Sequence, residues 1–65
     1  MLRRLGKRIR ALRAERGMTQ EALARRAGLS RAYLARLEIG RHNPPILTVV
    51  KIAKGLKVSI RDLFT

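Results

Sequence analysis

The stretch MTQEALARRAGLS, residues 18–30, constrains the fold more than any other feature of the chain. Thr19 stands where an N-cap belongs, and Met18 and Leu23 occupy the N′ and N4 positions of a hydrophobic staple. Glu21 adds negative charge in the first turn, where the helix dipole favours it. The same signal then recurs: Ser30 is the next N-cap, Leu29 and Leu34 its staple, and Gly40 the stop. Only Gly28 and Leu29 separate the end of one helix from the Ser30 cap of the next. So short a connection excludes an ordinary hairpin, and the two helices must cross at a steep angle.

The flanking segments are helical as well. Leu5, Ile9 and Leu12, with Leu2 just before, predict a first helix from about Leu5 to Arg16, stopped at Gly17. RHNPP, residues 41–45, interrupts the pattern, because proline cannot continue a helix but can begin one. ILTVVKIAKGL resumes it, with Leu47, Val50, Ala53 and Leu56 on one face. Ser59 caps a short fifth helix, with Asp62 in a capping-box position and Ile60, Leu63 and Phe64 as its apolar side. No segment reads as a strand. The expectation is all-α, a compact bundle of about five short helices in one domain over residues 1–65.

A chain of 65 residues is near the lower limit for burying a sufficient core, which argues against a large active-site cleft. With no cysteine, neither a disulfide framework nor a cysteine zinc site staples it. No apolar run approaches the roughly 20 residues of a membrane span, and MLRRLGKRIR lacks the apolar run of a signal peptide. A soluble, cytoplasmic protein is expected.

Charge is the strongest global feature, 16 Lys+Arg against 4 Asp+Glu for a formal +12. Such an excess repels itself unless it meets a polyanion, so nucleic acid is the leading partner class and an anionic membrane the second. No acid–base pair, activated nucleophile, glycine-rich phosphate loop or metal-ligand cluster is present, so an enzyme is the least expected class and no cofactor is expected. His42 has no second histidine, no cysteine and no nearby acid, so no metal role is expected of it either.

The ordered pattern T-Q-E-x-L-A-x-x-A-G-L-S-x-x-Y-L-x-x-L-E-x-G, with LGKRIRALRAER ahead of it, resembles the helix-turn-helix domain of the phage-repressor (lambda-repressor-like, Cro) family over nearly the whole chain. The resemblance implies a five-helix domain that lays its third helix in the major groove of double-stranded DNA, usually as a two-fold dimer on a palindromic operator. Helical geometry agrees, since at about 100° per residue Leu34 and Leu37 point one way, Ala32 and Arg36 the other, and Arg31 leaves the exposed first turn. The expected groove-facing set is Arg31, Ala32 and Arg36, with Tyr33 and Ala35 at its margins. An arginine fork bonds guanine O6 and N7 together, and Ala32 lets the backbone come close or touches a thymine methyl. Plain solvation is the rival account of each.

The resemblance further implies phosphate contacts from Gln20 and from the loop residues Arg41, His42 and Asn43. It also implies a structural pair of Arg13 and Glu38 between the first and third helices, setting the angle of the reading helix. Arg3, Arg4, Lys7, Arg8 and Arg10 either follow phosphates outside the operator core or are ordinary solvated side chains. Lys51, Lys54, Lys57 and Arg61 are expected to face solvent away from the groove.

Some positions depart from the family pattern. Lys57 stands where the family usually has glycine, and Gly55 where alanine is commoner, which predicts a frayed or shifted end to the fourth helix. Ile46 and Val49 are apolar where polar residues are common, Ile39 is apolar just before Gly40, and with Ile60 and Phe64 they either widen the core or form a patch for a second subunit. A homodimer is expected, because one short reading helix rarely supplies operator-level affinity.

The leading functional expectation is a sequence-specific transcriptional regulator, most simply a repressor. The sequence ends at the fifth helix, so no sensor domain is expected. An antitoxin with a toxin or other protein partner and a restriction-modification controller are the nearest alternatives. A non-specific nucleic-acid or membrane-surface binder is more remote, because neither role needs three further capped helices.

Overall fold

The computed structural model describes residues 2–64; Met1, Thr65 and the side chain of Leu2 lie outside the description. Its elements are α1 (Leu2–Glu15), α2 (Gln20–Ala27), α3 (Arg31–Glu38), α4 (Ile46–Leu56) and a terminal 3-10 helix, Ile60–Phe64, with no strand among the described residues. The first helix begins earlier than Leu5, because Arg3 and Arg4 are good helix formers and nothing before Leu5 stops propagation. The fifth element is 3-10 rather than α-helical, as short terminal pieces often are.

Side chains start α2 and α3 in the same way. Thr19 Oγ1 accepts from the N–H of Ala22 at 3.0 Å, and Ser30 Oγ accepts from the N–H of Tyr33 at 3.1 Å. Between them Gly28 takes a left-handed conformation, φ 70°, that permits the abrupt turn.

Each of the four α-helices ends in one motif, a left-handed residue followed by an N–H that reaches back across the last turn. Those closing bonds are Met18 to the Arg13 carbonyl (3.0 Å), Leu29 to Ala24 (2.8 Å), Arg41 to Arg36 (2.9 Å) and Val58 to Ala53 (3.0 Å). Glycine fills the left-handed position in the first three, and Lys57 fills it in the fourth with φ 59°. The end of α4 is therefore neither frayed nor shifted. Lys57 accepts a conformation that costs a side chain about 1–2 kcal/mol, and its own N–H and that of Val58 satisfy terminal carbonyls in return.

The core gathers Ile9, Leu12, Leu23, Leu34, Ile52, Leu56 and Leu63. Truncating one such residue, Leu34→Ala for example, typically costs about 2–5 kcal/mol, a large part of the roughly 5–15 kcal/mol that holds a domain together. The buried face of α4 differs from the expected one: Val49, Ile52, Ala53 and Leu56 turn inward, while Leu47 is 62% exposed. The cause is docking of α4 on α2. A Cβ at Gly55 would stand 3.0 Å from Leu23 Cδ1, so the close side of α4 is the one bearing small residues. Of the extra apolar positions, Val49 joins the core and Ile60 packs against it, whereas Ile39, Ile46 and Phe64 stay exposed.

Two close backbone contacts help to seat α1. A Cβ at Gly6 would collide with the carbonyl oxygens of Leu37 and Glu38, so α1 lies directly on the end of α3. Arg8 Nε donates to the Asp62 carbonyl oxygen at 2.7 Å, tying α1 to the 3-10 helix. That helix starts with half of the expected capping box: the N–H and hydroxyl of Ser59 both donate to Asp62 Oδ2, at 3.1 and 3.2 Å. No described helix is long and apolar enough to cross a membrane.

Candidate nucleic-acid interface

The site is organised by a carboxylate buried beneath it. Glu38, on the inner side of α3, is only 6% exposed, and both its oxygens are bonded. Oε2 accepts from Arg13 Nε at 2.8 Å, while Oε1 accepts from Arg13 Nη2 at 3.0 Å and from Gln20 Nε2 at 3.0 Å. Arg13 Nη1 also donates to the Met18 carbonyl oxygen at 2.9 Å. One carboxylate thus joins α1, the start of α2 and the end of α3. Charge-assisted, two-pronged bonding of this kind holds geometry more firmly than a neutral hydrogen bond. Glu38 therefore sets the angle at which α3 leaves the body of the protein.

The outer side of α3 presents Arg31, Ala32 and Arg36, all exposed, opposite the fully buried Leu34 and nearly buried Leu37. Tyr33 is half-buried against the core, and its ring lies 5.7 Å from that of His42, tilted by 47°. Tyr33 and His42 therefore form one unit at the margin of the exposed face. Gln20 is half-buried at the head of α2. Its amide spends one N–H on Glu38, which leaves the second N–H and the carbonyl oxygen for another partner.

Arg41, His42 and Asn43 are all exposed in the loop between α3 and α4. Arg41 occupies a telling position in the repeated helix-end motif. The residue after the left-handed position is usually apolar and packs back on its helix, as Met18, Leu29 and Val58 do here. At the end of α3 that residue is Arg41, whose N–H closes the helix while its side chain stays in solvent.

Gln20 and Arg31 line a common cleft of about 630 Å³ together with Arg10, Arg13, Thr19, Glu21, Glu38 and Ile39. Arg10 is the residue that sequence reasoning left undistinguished in a basic run. Its placement was signalled by the spacing to Arg13, three residues along the same helix face. The bond from Gln20 to Glu38 was also missed, since it joins residues 18 positions apart in sequence.

Two short helices crossing at a glycine turn, the second pinned within and basic without, define a helix-turn-helix domain. The helix-turn-helix family model matches residues 9–63, and the chain belongs to that family. It is 42% identical over its whole length to an uncharacterised HTH-type transcriptional regulator of Sinorhizobium fredii, covering 84% of that protein. It is 45% identical over 56 residues to the immunity repressor protein of Bacillus phage phi105, with 86% of this chain matched to 39% of the repressor. Among solved structures it matches the restriction-modification controller protein C.AhdI of Aeromonas hydrophila with a TM-score of 0.95 at 38% identity, over 97% of this chain and 96% of the controller.

Proposed function

We propose that this protein is a sequence-specific double-stranded DNA-binding transcriptional regulator that acts as a homodimer, most simply by occluding a promoter. The observation that carries this reading is α3, which is capped at its start, closed at its end, and held by Glu38 while Arg31, Ala32 and Arg36 face outward. Each outward arginine supplies a planar fork for guanine, a pairing that discriminates by roughly 1–3 kcal/mol. Gln20, Arg41, His42 and Asn43 then act on phosphate, Gln20 through the amide hydrogen that Glu38 leaves free. Tyr33 braces His42 and contributes to the groove edge.

Dimerisation follows from affinity. An eight-residue helix contacts too few bases to select an operator alone, and the exposed Ile46, Leu47 and Phe64 offer apolar surface for a second copy. A second reading, control of a restriction-modification gene pair, is favoured by the match to almost the entire length of such a controller. The neighbouring genes distinguish the two.

The decisive experiment is selection of bound duplexes from a random pool at two salt concentrations. A palindrome with guanines at fixed positions is the expected product. Recovery of no preferred sequence, with binding that collapses steeply in salt, leaves phosphate attraction alone and defeats the proposal.

A further inference from the structure

We propose that Arg3, Lys7 and Arg10, along one edge of α1, form a phosphate track that grips the DNA backbone beside the segment read by α3. The inference rests on α3 being the base-reading helix, and it extends the contact surface beyond the helix-turn-helix itself.

The three residues fall at i, i+4 and i+7, so they share one helix face. With Glu38 and Ile39 they line a cleft of about 220 Å³, and Arg10 also lines the larger cleft that holds Gln20 and Arg31. The basic edge of α1 therefore runs without a break into the phosphate-facing start of α2 and the first turn of α3. Its register against α3 is rigid. Gly6, buried on the inner flank of this face one turn from Arg3 and from Arg10, abuts the last carbonyls of α3, and a Cβ at Gly40 would stand 3.0 Å from Arg3 Cγ.

The acids at hand are already engaged. Both oxygens of Glu38 are taken by Arg13 and Gln20, and Glu21 faces Arg25 at 3.9 Å. Arg3, Lys7 and Arg10 have no ion-pair partner among the described residues. Three like charges on neighbouring turns repel one another, and an anionic strand alongside them turns that repulsion into attraction. From Arg3 to Arg10 the helix rises about 10 Å, enough for the three side chains to face roughly two or three phosphates of one strand. A membrane surface fits this face less well. Leu5, Ile9 and Leu12 are buried in the core, so α1 has no large apolar side to insert.

The test compares Arg3→Gln/Lys7→Gln/Arg10→Gln with a control of equal charge change, Lys51→Gln/Lys54→Gln/Arg61→Gln, whose positions line neither cleft. Affinity is measured against salt on two duplexes carrying the selected site, one trimmed to the core and one extended by about a helical turn on each side. Thermal melting verifies that each variant is folded, and Lys7→Gln alone replaces the triple variant if that does not fold.

On the extended duplex the α1 variant should lose about 0.9 in salt slope per phosphate released, between about 2 and 3 in total, or about 0.9 for Lys7→Gln alone. Its slope on the trimmed duplex and its preference for the site over scrambled DNA should match the parent, and the control should change neither slope. An unchanged slope, or equal losses in both triple variants, overturns the track while leaving α3 as the reading helix. Loss of binding to phosphatidylserine vesicles with an unchanged DNA slope overturns it in favour of a membrane. Absence of site preference in the parent protein overturns the reading of α3 and the track with it.

Discussion

Arg13 and Glu38 meet through two parallel bonds, Nε to Oε2 at 2.8 Å and Nη2 to Oε1 at 3.0 Å, with the carboxylate side chain 2% exposed and the arginine side chain 15% exposed. Glu38→Gln keeps the shape of this junction but leaves the guanidinium without its anion and puts an amide N–H where an acceptor is needed. Breaking a buried pair from one side typically costs about 3–5 kcal/mol. Arg13 keeps some solvent and its bond to the Met18 carbonyl, so about 2–3 kcal/mol is expected. Urea unfolding measures the difference, and a loss within error of zero removes the pair from the account of how α3 is held.

The proposed base-reading and phosphate roles can be told apart in Arg36 and Arg41. Arg36 projects from the exposed side of α3, and Arg41 sits beyond its last turn. Arg36→Ala is expected to relax preference at one base position by roughly 1–3 kcal/mol, while Arg41→Ala weakens all sequences alike and lowers the salt slope by about 1. Binding to a panel of single-base variants of the selected site distinguishes these patterns. Uniform losses from both substitutions end the claim that Arg36 reads a base.

Much of this organisation is legible in the sequence because its causes are local. Thr19 and Ser30 cap helices they directly precede, and Gly28 and Gly40 stop helices that end one or two residues before them, so a few adjacent residues suffice to find them. The buried face of α4 was not legible for the opposite reason. ILTVVKIAKGL has apolar residues on more than one stripe, and the choice of Val49 and Ile52 over Leu47 was made by Leu23 of α2 fitting against Gly55. The bond from Gln20 to Glu38 and the grouping of Arg10 with Arg31 likewise depend on distant elements meeting. Lys57 misleads for a subtler reason: its unfavourable left-handed backbone is outweighed by two closing bonds that residue type alone does not reveal.

Lys57→Gly should stabilise the protein. The left-handed conformation that costs lysine about 1–2 kcal/mol is free for glycine, and the greater freedom of glycine in the unfolded chain takes back part of the gain. The expected net is about 0.5–1 kcal/mol, a rise in melting temperature of about 3–6 °C for a domain of this size. Lys57 lines neither basic cleft, so affinity for the selected site should change little beyond loss of one distant charge. A fall in melting temperature would show that the Lys57 side chain contributes something its exposure does not reveal.

Gly6→Ala should do the reverse, although alanine favours helix by about 1 kcal/mol over glycine. The added Cβ meets the backbone oxygens of Leu37 and Glu38, which belong to the closed end of α3 and cannot rotate away as a side chain could. Either α1 must move outward or α3 must tilt. Overpacking of this kind costs about 1–3 kcal/mol, enough to cancel or exceed the gain in propensity. Because Arg13 and Glu38 span the same two helices, the displacement also strains their paired bonds. Gly6→Ala is therefore expected to weaken binding to the selected site at temperatures where circular dichroism shows it fully folded. Parent-like affinity there would mean that α3 reaches DNA independently of its seat on α1.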